Sequence, residues 1–295
     1  LSFTLRVSAN IEPLSDLSAY AENFSKTSWT FYHYREFIFW SIARFTYMLV
    51  GSIQSTFIIL DLINLSILYV GLKQLTISYS RGVHETSCKY LYFAVLLFIP
   101  YYSGFEQLLK QNTSMVLFIF ALSIGSAKPK SALLVFTLSV FSHNLAALFL
   151  PFFIYNWKYA SQNFFNFTIL LFLLAVIFMF LSAENIFTLR GAGIEIGENI
   201  KTIYYISICI ICVSYLILTK PDNSKKFFLI LYLFTVSTVS FVFFSSQHFE
   251  RFMFFLLGTL TPVVLVKLEN KTRQKFLVRA FGLLTCTITL SYIII

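Results

Sequence analysis

Charged residues are scarce in this sequence, and so are the residues that usually mark flexible connections. Only 12% of its 295 residues are Asp, Glu, Lys or Arg, and it contains 10 glycines and 6 prolines. Soluble globular chains carry about 25% charged residues, so this chain lacks the polar surface that a water-soluble fold of its length requires. This composition excludes disordered, secreted and fibrous proteins, and no long polar stretch could form a separate soluble catalytic domain.

Cysteine is also scarce, with four copies in the chain. Cys88 and Cys286 stand alone, whereas Cys209 and Cys212 lie three residues apart in an apolar segment of membrane length. A redox or metal site at this pair stays open as an alternative, but packing is favoured because no histidine or second pair accompanies it. No cluster of His, Asp and Glu has metal-ligand spacing either, so we predict neither a metal nor another cofactor.

Apolar residues are abundant: 58% of the chain is hydrophobic and 19% is aromatic. Because about 20 mostly apolar residues cross a bilayer as a helix, we predict an all-α, polytopic integral membrane bundle forming a single domain over 1–295. Residues 1–51 are predicted as an outer loop with an interfacial helix, and 52–295 as the bundle. About eight spans of the required length are predicted, at 52–72, 89–104, 109–127, 163–182, 202–219, 227–245, 252–267 and 275–295.

Two apolar segments differ from ordinary spans. Segment 34–50 contains three charged residues and is predicted to be interfacial or partly inserted. Segment 131–155 has Ser142, His143 and Asn144 near its middle, and a single crossing would put Lys128 and Lys130 on the outer side, against the positive-inside rule. We therefore predict a hairpin that breaks at 142–144 and returns, with a single tilted span as the alternative.

The net charge of +9 does not indicate nucleic-acid binding, because Lys and Arg lie singly or in small groups between apolar runs. With the hairpin, most of them fall in inner loops. The sequence also begins at Leu1 with neither a methionine nor a charged leader, so we expect that it lacks at least one N-terminal element.

Polar residues on the outer side form a separate set. Ionisable groups near membrane depth usually face a cavity, and several cations that open on one side suit an anionic ligand. Loop solvation, snorkelling at span ends and hydrogen bonding within the bundle are the simpler explanations. The set comprises Arg6, Asp16, Tyr20, Arg35, Glu36, Lys110, His143, Arg190, His248 and Arg251.

Five polar-aromatic segments occur in a recognisable order: FTLRVSANIEPLSDLSAY, YREFIFW, LKQNTSMVLFIFALS, VFSHNLAALFLPFF and HFERFMFFL. In this order and spacing they resemble the bacterial O-antigen and exopolysaccharide polymerases of the Wzy/EpsG type, and they cover most of the chain. Two departures are evident. Lys110 stands where the family usually has arginine, which keeps the charge but loses the bidentate fork, and the glycine usual in the first loop is absent near Asp16.

The resemblance implies a multi-pass glycosyltransferase of the bacterial cytoplasmic (inner) membrane with a cavity facing the periplasm. Such an enzyme joins undecaprenyl-pyrophosphate-linked repeat units during O-antigen, capsule or exopolysaccharide synthesis. The implied partners are the undecaprenyl-linked glycan and membrane lipid, with chain-length regulator and flippase proteins as further candidates, and no nucleic acid.

With this function, Arg251, Arg190 and Lys110 would hold the donor pyrophosphate, and His143 or Glu36 would accept or orient the proton of the attacking hydroxyl. The further predicted substrate contacts are Arg6, Asp16, Tyr20 and His248. Two alternatives stay open: a flippase or transporter for lipid-linked glycan, which needs a cationic cavity but no base, and an O-antigen ligase-like glycosyltransferase.

Overall fold

The computed structural model describes residues 16–26, 28–79, 91–92, 95–96, 108–156, 163, 165, 168–170, 229–238 and 246–272. All regular structure among them is helical, so the prediction of an all-α chain is confirmed for this part. In chain order the helices are α1 (Asp16–Phe24), α2 (Phe31–Arg35), α3 (Phe37–Val50), α4 (Ile53–Tyr79), α5 (Leu109–Ile124), α6 (Pro129–Ser142), a 3-10 helix (Asn144–Phe149), α7 (Leu150–Asn156), α8 (Leu229–Thr238) and α9 (Ser246–Thr272).

Helix α4 has the length and composition of a membrane-spanning helix. Its segment Ile53–Ser78 has a mean hydropathy of 1.8, and within the described residues it is the one helix that meets both criteria. The other apolar helices are shorter, with 10–17 residues in each apolar stretch. The predicted spans 202–219 and 275–295 lie outside the described residues, as does most of 89–104 and 163–182, so the number of spans stays a prediction.

Helices α4 and α5 run parallel and close together. The Asn64 side chain donates to Thr113 Oγ1 at 3.0 Å, and further along the pair Ser78 Oγ donates to the Ser123 carbonyl at 3.0 Å. Between these contacts, a Cβ atom added at Gly71 would lie 3.3 Å from the backbone of Phe120. Glycine therefore permits the close approach of the two helices.

Helices α5 and α6 form an antiparallel hairpin. Ser114 Oγ donates to the Ser139 carbonyl at 2.8 Å, and Ser139 Oγ donates to the Ser114 carbonyl at 2.7 Å. This reciprocal pair satisfies two buried hydroxyls inside the bundle and fixes the register of the hairpin.

The predicted break in segment 131–155 is confirmed. Helix α6 ends at Ser142, and His143 is extended with φ −158° and ψ 122°. The chain then returns along the same path, because the Phe136 and Phe153 rings stack with centroids 4.6 Å apart. In a continuous helix these two residues would lie about 25 Å apart, so the alternative of a single tilted span is wrong.

Two apolar clusters lie on either side of a polar layer. The larger one fills the bundle, and the smaller one packs Tyr20 and Phe24 of α1 and Trp40 of α3 against Leu109. Between them, the five polar residues 110–114 at the start of α5 are all at most 8% exposed. Consecutive helical residues point in every direction around the axis, so this end of α5 is enclosed on all sides.

Helix α3 has 14 residues, about 21 Å of helix, which is shorter than the roughly 30 Å hydrocarbon core of a bilayer. Its large side chains Phe45, Met48 and Leu49 are exposed. Arg44 points inward instead, donating to the Asn23 carbonyl at 3.3 Å and the Ser28 carbonyl at 3.0 Å. The interfacial or partly inserted position of segment 34–50 stays a prediction.

Candidate functional site

Lys110 lies in the first turn of α5, where the two apolar clusters meet. Its ammonium donates to Glu36 Oε2 at 2.5 Å. It also lies 5.6 Å from the Tyr20 ring centroid and 5.8 Å from that of Trp40. The lysine is therefore held by a charge-assisted hydrogen bond and by two aromatic faces.

Glu36 lies at the junction of α2 and α3, in a backbone conformation that ends one helix before the other begins (φ −124°, ψ 45°). Its side chain is 1% exposed. Besides Lys110, two groups face the carboxylate at 3.9 Å: the Arg35 guanidinium and His143 Nε2. A carboxylate this deeply buried needs such compensation, because an unpaired charge in the interior is costly.

His143 occupies the break after α6, opposite the junction that carries Glu36. Its Nδ1 accepts the backbone N–H of Leu145 at 3.2 Å, which caps the 3-10 helix. In the neutral ring the proton is therefore on Nε2, the nitrogen that faces Glu36. The two breaks are also tied by Asn144: with its amide turned to satisfy both groups, it donates to the Arg35 carbonyl at 3.0 Å and accepts from Arg35 Nε at 3.3 Å.

Gln111 joins the start of α5 to the start of α9. Its Nε2 donates to the backbone carbonyl of Arg251 at 2.5 Å, and the side chain is almost fully buried. Because a carbonyl only accepts hydrogen bonds, this contact fixes which end of the amide faces α9. Gln111 therefore positions the backbone that carries the Arg251 guanidinium.

These side chains surround a pocket of about 70 Å³. It is lined by Ala19, Tyr20, Leu108, Lys110, Gln111, His143 and Arg251. Among the side chains that the structure describes, the two charged ones in this lining are cations, and the Glu36 carboxylate lies behind them. A pocket with lysine, arginine and imidazole N–H groups in its wall is suited to an anion.

A model of the EpsG family matches the chain over residues 1–295. The chain belongs to the EpsG family. The resemblance carried by the five segments is thereby confirmed. Membership of the EpsG family indicates a membrane protein of polysaccharide biosynthesis with polymerase-type, glycosyltransferase-like activity on a lipid-linked glycan. No curated protein and no solved structure matches this EpsG-family chain.

The pocket brings together sequence positions that are far apart. Of the predicted site residues in the EpsG-family chain, Tyr20, Lys110, His143 and Arg251 line it, and Glu36 contacts Lys110 behind it. Their predicted roles in substrate binding and catalysis stay predictions.

The remaining predicted site residues are placed only in part. Asp16 begins α1 and His248 lies in the first turn of α9, three residues before Arg251, and the structure describes the backbone of both but not their side chains. Arg6 and Arg190 lie outside the described residues.

Gln111 was missed by the sequence analysis, since a neutral amide gives no charge signal. A usable signal was present, however: Gln111 belongs to a run of five polar residues at the start of an otherwise apolar helix. Asn112, also in this run, is fully buried, and neither atom of its amide has a hydrogen-bond partner among the described residues.

Replacing Gln111 with leucine is expected to lower polymer synthesis about tenfold, which corresponds to one lost hydrogen bond of about 1.4 kcal/mol. Leucine keeps the bulk but leaves the Arg251 carbonyl without this donor, so the start of α9 can shift. The measurement is polymer formed per unit of folded protein. Gln54→Leu, at an exposed amide in α4, is the matched control, and equal yields from the two variants would remove Gln111 from the site.

Proposed function

We propose that this EpsG-family chain is a polysaccharide polymerase that joins undecaprenyl-pyrophosphate-linked repeat units at the periplasmic face of the bacterial cytoplasmic membrane. We further propose that it is a multi-pass protein with one transmembrane domain over 1–295. The observation that carries the proposal is the pocket with Lys110, Arg251 and His143 in its wall. A lipid diphosphate is the anion that a membrane polymerase of lipid-linked glycans must hold.

The charges at the other ends of the helices support the proposed orientation. Helix α5 leads from the pocket to the turn before Lys128 and Lys130, and α9 leads from Arg251 to Lys267 and Lys271. Short loops rich in lysine and arginine stay on the cytoplasmic side. The pocket, at the opposite ends of these helices, would then face the periplasm.

In the proposed reaction, Lys110 and Arg251 bind the diphosphate oxygens and offset the negative charge that develops as the diphosphate leaves. Arg190 and Arg6 are proposed as further cations for the same ligand. Asp16, Tyr20 and His248 are proposed to contact the glycan. Diphosphate is a good leaving group, so the site needs no general acid for it.

A sugar hydroxyl of the acceptor attacks the anomeric carbon of the donor glycan. The new C–O bond forms while the bond from that carbon to the diphosphate oxygen breaks, and the hydroxyl proton passes to a base. His143 and Glu36 are the candidate bases beside the pocket. The proposed protein partners are a chain-length regulator and a flippase.

The direct test is elongation in detergent. Purified protein supplied with lipid-linked repeat units is expected to produce a ladder of longer lipid-linked glycans, because polymerisation needs no membrane to cross. Failure to elongate, combined with movement of the same substrate across the bilayer of proteoliposomes, would favour the flippase alternative. Transfer of finished glycan to a different acceptor, with no elongation, would favour the ligase alternative.

A further inference from the structure

We propose that Glu36 is an internal competitor for the Lys110 ammonium, displaced when a lipid diphosphate binds, and that the displaced carboxylate then engages His143 and prepares it as the base. Glu36 is in this sense a positioning residue, and its effect couples donor binding to base activation. The inference rests on the proposed polymerase function for its substrate.

The first step follows from where the two partners lie. Lys110 lines the pocket. Glu36 is 1% exposed and is not one of the lining residues, so it affects the pocket through the residues that it contacts. A lysine ammonium is a point charge with three donors on a flexible four-carbon stem. It can therefore turn towards a ligand in the pocket while the carboxylate remains buried behind it.

The second step is a competition between two anions. A diphosphate carries more negative charge than one carboxylate, and its several oxygens can contact Lys110 and Arg251 together. The Glu36 contact at 2.5 Å must lengthen for this to happen. Breaking the hydrogen bond between Glu36 and Lys110 therefore makes the free energy of donor binding less favourable. Removing the carboxylate is expected to strengthen that binding.

The third step concerns the partners left to Glu36. His143 Nε2 and the Arg35 guanidinium both face the carboxylate at 3.9 Å. A shift of about 1 Å brings either to the 2.7–2.9 Å of a charge-assisted hydrogen bond. Arg35 is held by Asn144, the residue after His143. The two groups that can bind the displaced carboxylate therefore lie at neighbouring helix breaks: Arg35 at the end of α2 and His143 after the end of α6.

A carboxylate bound to Nε2–H makes the opposite ring nitrogen a better proton acceptor, because it stabilises the imidazolium that forms. Among the residues that the structure describes, the partner of His143 Nδ1 is the local N–H of Leu145 at 3.2 Å, a contact that an acceptor hydroxyl can replace. The hydroxyl oxygen bonds to the anomeric carbon, its proton goes to Nδ1, and the diphosphate leaves with the electron pair of the broken bond. Water outside the site later takes up the proton.

The coupling predicts an order of events. The base is prepared only after the donor diphosphate has taken Lys110, so a hydroxyl that enters the pocket first meets an unprepared histidine. Binding of the donor therefore precedes proton abstraction from the acceptor hydroxyl.

The test is binding and turnover in the Glu36→Gln variant of the purified chain. The probe is undecaprenyl diphosphate in detergent, measured by calorimetric titration, with inorganic pyrophosphate as the water-soluble arm. We expect about tenfold tighter binding of the diphosphate, together with at least tenfold slower elongation at saturating substrate. Glu22→Gln, at an exposed carboxylate of α1, is the control and is expected to change neither.

Two further variants distinguish two explanations for tighter binding. In the first (exchange), Lys110 leaves Glu36 to bind the diphosphate; in the second (a field effect), the negative charge of Glu36 merely repels the diphosphate. Glu36→Asp keeps the charge but shortens the side chain, so the exchange predicts tighter binding and a field effect predicts none. In the Lys110→Gln background, the exchange predicts that Glu36→Gln no longer tightens binding. Unchanged or weaker binding in folded Glu36→Gln or Glu36→Asp protein would overturn the inference. Since this readout needs no elongation, it fails independently of the proposed polymerase activity.

Discussion

Replacing Arg251 with alanine is expected to eliminate long-chain polymer, with at least a hundredfold loss of elongation. Arg251 lines the pocket together with Lys110, and a guanidinium matches phosphate oxygens in a planar, two-point geometry. Charge that develops on a leaving diphosphate in a water-poor site depends strongly on such fixed donors, and removal of one commonly costs about 2.7–4 kcal/mol of transition-state stabilisation.

The alanine variant tests the guanidinium specifically, because the contact between Arg251 and Gln111 involves the backbone of Arg251 and not its side chain. Gln111 binds the backbone carbonyl of Arg251, which alanine retains, so the start of α9 is expected to keep its position. Glycan length on gels, normalised to protein level, is the measurement. Arg251→Lys is expected to recover part of the activity, and Lys130→Ala, at an exposed lysine of α6, is expected to have no effect. Long polymer from normally expressed Arg251→Ala protein would refute the role.

Replacing Lys110 with methionine is expected to destabilise the protein by about 3 kcal/mol, since removing one partner of a buried pair leaves the other charge uncompensated. Glu36 is the more deeply buried partner, with its side chain 1% exposed against 10% for Lys110. Loss of the lysine should therefore cost more than Glu36→Gln, which leaves behind a cation that lines the pocket and reaches water. Thermal unfolding of each variant in detergent, followed by intrinsic tryptophan fluorescence, measures the difference.

The double variant Glu36→Gln/Lys110→Met decides whether the cost comes from the unpaired charge. With the carboxylate removed as well, most of the lost melting temperature is expected to return, although elongation is not. If the double variant melts as low as Lys110→Met alone, packing around the lysine stem, and not the charge on Glu36, accounts for the destabilisation.

The break at His143 could be predicted because two independent constraints agreed. The charges of Lys128 and Lys130 predict an inner position for the end of the hairpin where they lie, and a polar triplet in the middle of an apolar segment needs protein around it. Neither constraint depends on distant contacts. The structure adds the stacking of Phe136 on Phe153, which no local pattern specifies.

The pairing of site residues could not be predicted in the same way. Glu36 and Lys110 are 74 residues apart, and each was identified separately, as an ionisable residue near membrane depth. Their contact depends on how helices α1 to α3 pack over the start of α5. The contribution of Gln111 depends likewise on α9, which is 140 residues away at Arg251.

The polar run at the start of α5 also bears on how the chain is made. After residues 110–114 only ten residues of the helix remain, about 15 Å, and a lysine disfavours the entry of a segment into lipid. Released alone from the ribosome, α5 would partition poorly into the bilayer. Paired with α6 through Ser114 and Ser139, it hides its hydroxyls and presents a longer apolar surface. If these two helices enter the bilayer, we therefore expect them to insert as a pair.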